Sequence, residues 1–153
     1  MVLDFGGSQL FKTSNEERWK GVNSERLQVF PSAASSVASG ETAPSVWTAT
    51  PAEITLAVKA DEKVVIIASG VGDMDSANDR VWLEVLRDDV TRMGPSAWIQ
   101  ETDTTAEIYA GMSINHVDEP GEGIFKYTIY IKSNSGNSDV WSMCLTGFVL
   151  TVQ

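Results

Sequence analysis

One histidine, one cysteine and twenty-one carboxylates are the side chains from which this 153-residue chain could build chemistry. His116 stands in the run Met112-Ser-Ile-Asn-His-Val-Asp118, between Asn115 and Asp118. A Ser-His-Asp device also needs a serine held on a strained turn. No Gly-x-Ser-x-Gly elbow occurs, and many of the serines stand in turn-like stretches or near the start of the chain, so catalysis by His116 is not expected. Residues 72–79, Gly-Asp-Met-Asp-Ser-Ala-Asn-Asp, gather Asp73, Asp75 and Asp79, hard oxygen donors dense enough to suggest calcium. The calcium loop of helix-loop-helix proteins needs a donor where Ala77 stands and a glycine where Asn78 stands. A solvated acidic loop that keeps a strand edge from pairing is therefore the expectation, with Asp73, Asp75 and Asp79 as the metal candidates.

The remaining chemistry is thinner. Any two of the sixteen acids in residues 44–153 could be drawn as a glycosidase pair, which singles out none of them. There is no phosphate-cradling glycine loop, no Cys/His metal cluster and no basic aromatic strip. No enzyme and no cofactor is expected. Cys144 has no partner for an intrachain disulfide and lies in an apolar run, so it reads as a small buried hydrophobe.

Charge narrows the partners. The net charge is −10, and residues 44–153 carry −9 of it, which repels a phosphate backbone and argues against nucleic acid. The first residues lack a basic segment followed by an apolar stretch, and no run approaches 18 apolar residues. Synthesis in the cytoplasm and no membrane span are the expectations.

The elements available to position these groups are strands. Ile54, Leu56 and Val58 alternate with Glu53, Thr55 and Lys59, a half-buried strand. Residues 63–70 follow after Asp61-Glu62; they are apolar on both faces, as in a strand covered on both sides, and a hairpin is expected to link the two. Val81, Leu83 and Val85 face away from Trp82, Glu84 and Leu86 in the next strand. Residues 98–100 and 106–117 supply two more, with a bulge or bend expected at Gly111. Phe125, Tyr127, Ile129 and Ile131 alternate with Lys126, Thr128, Tyr130 and Lys132, and residues 140–152 form a last strand, apolar on both faces. Strands without intervening helices favour an all-β sandwich.

Residues 1–43 differ in texture. They are rich in Ser, Asn, Gly and Glu, with Phe5, Leu10, Phe11, Trp19, Leu27, Val29 and Phe30 scattered singly or in pairs, and residues 31–40 read as a connector. Ordering each backbone costs roughly 1–2 kcal/mol, and each large apolar side chain returns roughly 1.5–3 kcal/mol when buried, so so few anchors cannot fix the segment unaided. The expected division is an extended arm over residues 1–43 and a sandwich over residues 44–153.

From about residue 50 to the end, the chain resembles the jelly-roll domains of tailed-phage head decoration (cement) proteins, which are similar to the trimeric tumour-necrosis-factor-like sandwich. Three phrases carry the resemblance: Lys63-Val-Val-Ile-Ile-Ala-Ser-Gly70, Arg80-Val-Trp-Leu-Glu-Val-Leu-Arg-Asp88, and Pro120-Gly-Glu-Gly-Ile-Phe-Lys-Tyr-Thr-Ile-Tyr130 leading to Gly147-Phe-Val-Leu-Thr-Val152. It implies an all-β, two-sheet jelly-roll sandwich with an extended N-terminal arm. It also implies a homotrimer on the capsid exterior of a virion, made in the host cytoplasm and seated on the major capsid protein. The arm would be the strap, with Phe5, Leu10, Phe11 and Trp19 as capsid contacts. Trp82, Trp98, Met112, Trp141 and Met143 are more large apolar surface than one face of each strand can bury, so they are the expected trimer interface. The competing reading places them in one thick core or beneath the arm. A carbohydrate-binding module, or a host-glycan-binding appendage using Trp82, Trp98 or Tyr109, is the alternative function.

Overall fold

A computed structural model describes residues 33–74, 78–100 and 108–151. Their elements in chain order are β1 (Ala33–Ala38), β2 (Glu41–Ala43), β3 (Thr48–Val58), β4 (Glu62–Met74), β5 (Arg80–Arg87), β6 (Thr91–Arg92), β7 (Ala97–Gln100), β8 (Ile108–Asp118), β9 (Gly123–Ser133) and β10 (Ser138–Thr151). Sheet A runs β1-β10-β4-β8 with β2 also on β10; sheet B runs β3-β9-β5-β6 with β7 also on β5. Every pairing is antiparallel. Six of the nine connections carry the chain from one sheet to the other, and with this strand order the all-β fold is a jelly-roll sandwich.

Alternation builds the core. Ala52, Ile54, Leu56 and Val58 of β3, Val81, Leu83 and Val85 of β5, and Tyr127, Ile129 and Ile131 of β9 are all buried, and they face Val64, Ile66 and Ala68 of β4. Glycines set how closely the sheets approach. A Cβ on Gly147 would lie 2.6 Å from Ile54 Cδ1 and 2.7 Å from Leu56 Cδ1, so these side chains of sheet B seat directly on the backbone of sheet A.

Four local readings are corrected. First, residues 33–43 are not connector: β1 and β2 pair with β10, Ala34 packs against the core, and Ala38 and Ala43 are buried within it. Small Ala and Ser side chains hid the period, because alanine contributes little contrast between an inner and an outer face. Second, no hairpin joins β3 and β4. They lie in opposite sheets, linked by a turn in which the Glu62 N–H donates to the Lys59 carbonyl (3.1 Å) and the Lys59 N–H donates to the Glu62 carboxylate (2.8 Å). Both strands then point their apolar faces at one core from opposite sides. Third, β4 is buried on one face only, since its even-numbered residues point inward and Ile67 is 42% exposed.

Fourth, Gly111 carries no bulge. The β4–β8 register is unbroken from Met74↔Ile108 to Val64↔Asp118, and Gly111 faces open space. The register shifts instead between Trp141 and Cys144 of β10, at Ser142, whose φ is 51°. That extra residue inverts the alternation of β10. A second shift in β3, between Ala49 and Glu53, contains Pro51, which has no N–H for a ladder. The Thr50 hydroxyl bridges it by donating to the Ile129 carbonyl (3.0 Å).

Residues 1–32 lie outside the described structure, and with them the arm's expected anchors Phe5, Leu10, Phe11 and Trp19.

Candidate functional site

The outward side chains of sheet A follow from its register. Phe148 of β10, Val65 of β4 and Val117 of β8 form one row, with Thr146, Ile67 and Asn115 in the next. Val37 of β1, Cys144, Ser69 and Ser113 form a third, Trp141, Val71 and Gly111 a fourth, and Asp139, Asp73 and Tyr109 a fifth. Of these, Val37 is 73% exposed, Tyr109 60%, Val117 53%, Trp141 44% and Ile67 42%. Val65, Val71, Cys144 and Phe148 are half-buried. A sheet facing water on one side is ordinarily polar there. This one carries large apolar residues across four strands, the kind of surface that marks an interaction site.

The outer face of sheet B is different. Trp82 and Trp98 are directly opposite each other across β5 and β7. The Arg80 guanidinium lies 4.8 Å from the Trp98 ring centre and 5.6 Å from that of Trp82, and the Lys132 ammonium lies 5.5 Å from Trp82. Cations thus occupy the aromatic rings. Glu84, buried on this face, is held by Arg92 Nε at 2.7 Å and by the Ser96 hydroxyl at 3.1 Å. Further along, Asp89 accepts from Lys126 (2.8 Å) and from the Tyr130 hydroxyl (3.0 Å), and these bonds hold its carboxyl below the usual range.

Buried carboxylates close the two ends of the core. Asp118 accepts from Arg87 Nη1 through both oxygens (2.8 and 2.7 Å) and from the Tyr127 hydroxyl (2.9 Å), tying β8 of sheet A to β5 and β9 of sheet B. Burial first, and then the bond to Asp118, push the Tyr127 phenol far above its ordinary range. At the other end, burial acts to raise the Asp79 carboxyl. Hydrogen bonds from the Ser138 and Ser135 hydroxyls and from the N–H groups of Arg80 and Ser135 outweigh it and hold the group below its ordinary value.

The expected site residues are therefore scattered. Trp141 lies on the outer face of sheet A, and Trp82 and Trp98 on that of sheet B. Met112 and Met143 are corrected: both are buried in the chain's own core and offer no surface to a neighbouring copy. For Met143 the cause is the Ser142 bulge, which separates it from Trp141 and turns it inward. The bulge also turns Cys144 outward, half-buried instead of buried. Of the three metal candidates, Asp79 already accepts hydrogen bonds at both oxygens, Asp73 sits on the outer face of sheet A, and Asp75 lies outside the described residues. Among the described residues, no group of three His, Cys, Asp or Glu is placed to hold a metal ion. Tyr109 is on the sheet opposite Trp82 and Trp98, so the three aromatics share no platform. His116 points toward the turn at Gly94, where a glycine Cβ would lie 3.4 Å from its Nδ1. Sequence reasoning did not name Val37, Ile67, Val117 or Phe148; the signal was the two-sided apolar pattern of residues 63–70 and 140–152.

No family model matches the chain. No curated protein matches it either. Among solved structures it is similar to Bacillus endospore appendages, a family of disulfide-linked pili, with 14% identity and a TM-score of 0.37 over 84% of this chain and 94% of that one. It is similar to a structure of infectious bursal disease virus, Gx strain, with 13% identity and a TM-score of 0.43 over 80% of this chain and 34% of that one. It is also similar to a family two carbohydrate esterase from Cellvibrio japonicus, with 10% identity and a TM-score of 0.30 over 79% of this chain and 36% of that one. At this level of similarity the assignment to the jelly roll rests on the strand order itself.

Proposed function

We propose that this chain is a structural subunit of a virion, a capsid decoration or cement protein that trimerises and lies on the lattice of a major capsid protein. The observation that carries the reading is the outer face of sheet A. The sandwich already has a complete core between its sheets, and the apolar residues outside are not needed for it. Covering Val37, Ile67, Val117, Tyr109 and Trp141 is worth on the order of 1 kcal/mol apiece, given that each side chain is partly covered already. That is a driving force for assembly, and a protein of net charge −10 fits a protein lattice better than a nucleic acid. The test is co-sedimentation with empty capsids. Wild-type protein is expected in the capsid pellet, and a variant carrying Ile67→Lys and Val117→Lys in the supernatant; equal pelleting of both would reject this face as the working surface.

One observation favours a second reading. Trp98 is 54% exposed beside Trp82, a pair that could stack on sugar rings of a host glycan. Arg80 and Lys132 already lie over those rings, so the assembly reading ranks first. Silence on a glycan array, together with unaltered host adsorption by particles lacking the protein, would remove the glycan reading.

A further inference from the structure

The apolar face spans sheet A, and β1 begins at one end of that same sheet, in the row of Phe148. We infer that the face is the seat of the leader, residues 1–32, of an adjacent copy of this chain; the inference rests on the self-assembly proposed above and names what the assembly face receives.

Size speaks first. Four strands about 4.8 Å apart, and rows running six residues from Val65 to Val71 at about 3.4 Å each, give a patch of roughly 15 by 20 Å, near 300 Å². A stable interface between two folded partners takes about 800 Å² from each. A second sandwich seated here alone would be undersized, whereas six extended residues reach about 20 Å and span the patch.

Composition and position point to which segment. Leu27, Val29 and Phe30 fall within the six residues before Ala33, where β1 begins at the edge of this sheet, and Phe5, Leu10, Phe11 and Trp19 precede them. The direction of β1 decides between the chain's own face and a neighbour's. Ala33 pairs with Phe148 and Ala38 with Met143, so β1 begins in the Phe148 row and runs from there toward the Trp141 end of the sheet. Pro31 has no N–H with which to extend the ladder on β10. A leader that keeps the course of β1 leaves its own patch and arrives at another. Each copy then gives one leader and receives one, a head-to-tail contact that closes at three in the trimer.

Cys144 supplies the reporter, because it is the chain's sole cysteine and stands half-buried in the patch between Val37 and Ser69. In the full-length protein carrying Phe30→Cys, mild oxidation is expected to give disulfide-linked dimers and trimers on a non-reducing gel. Alkylation of Cys144 is expected to run about tenfold or more faster when Leu27, Val29 and Phe30 are replaced by serine, as for a site opened by that factor. Links confined within single chains, or no link together with an unchanged alkylation rate, would overturn the inference. If that result came from a chain that still trimerises and pellets with capsids, the leader's seat would be wrong and the assembly reading would stand. A monomeric chain that ignores capsids would remove both.

Discussion

Replacing Asp118 with leucine takes away the acceptor shared by Arg87 and Tyr127 at one end of the core. The Asp118 residue is 8% exposed, Tyr127 is 0% exposed, and the Arg87 side chain keeps 19% of its surface in water. Breaking a buried ion pair from one side costs about 3–5 kcal/mol, because a charge is left behind. The residual exposure of Arg87 lets water reach the guanidinium and places the loss near the lower end of that range. The stranded Tyr127 hydroxyl adds about 1 kcal/mol, so the expected total is about 4 kcal/mol. With a urea dependence near 2 kcal/mol per molar, the unfolding midpoint falls by roughly 2 M. The assay is equilibrium urea unfolding followed by tryptophan fluorescence, run on Asp118→Leu and on Asp118→Leu combined with Arg87→Met. The double variant leaves no buried charge and is expected to recover most of the loss. The reasoning is refuted if the single change costs under about 1 kcal/mol, or if the double variant is no more stable than the single one.

Other consequences are more local. Leu83→Ala, at a residue of 0% exposure facing the opposite sheet, is expected to cost about 2–5 kcal/mol by thermal or urea unfolding, and a loss below about 1 kcal/mol would contradict the core placement. Asp79 is held below its ordinary value of 3.8 in the folded state, so it contributes stability that is present above that value and is lost as pH falls through the folded one. Ser138→Ala weakens the lowering, and the stability gap between wild type and variant is expected to be full at pH 7 and to shrink on acidification; a gap independent of pH would disprove the coupling. A Cβ on Gly40 would lie 2.2–2.7 Å from three ring atoms of Trp141, so Gly40→Ala is expected to displace that indole. The change should be read as altered tryptophan emission that disappears when Trp141 is replaced by phenylalanine.

Where apolar and polar residues alternated without interruption, as in β3, β5 and β9, the sequence told which side chains face the core. Val81, Leu83 and Val85 turned inward as their spacing required. The pattern failed where contrast was lost or where parity changed. β1 is built of Ala, Ser and one Val, so its two faces look alike in the sequence although Ala38 is buried and Val37 is 73% exposed. β10 changes parity at Ser142, which no periodic reading anticipates, and so Trp141 and Met143, two residues apart, lie on opposite sides. The candidate site itself was half legible. Two-sided apolarity in β4 and β10 was visible, but it reads identically for a strand covered by its own fold and for one that waits for a partner. The Arg87–Asp118–Tyr127 network was invisible because its members are 9 and 31 residues apart along the chain and only the jelly-roll path brings them together.

The central claim is that the outer face of sheet A is where copies of this chain meet. Light scattering in solution tests it most directly, comparing wild-type protein with the Ile67→Lys and Val117→Lys variant, both changes being at outward positions that the core does not use. The account predicts three chain masses for the wild type and one for the variant, which still unfolds cooperatively as a folded single chain but at a lower temperature, because the stabilisation from association is gone. A wild-type protein that stays at one chain mass at micromolar concentrations, or a variant that keeps the wild-type mass, would contradict it.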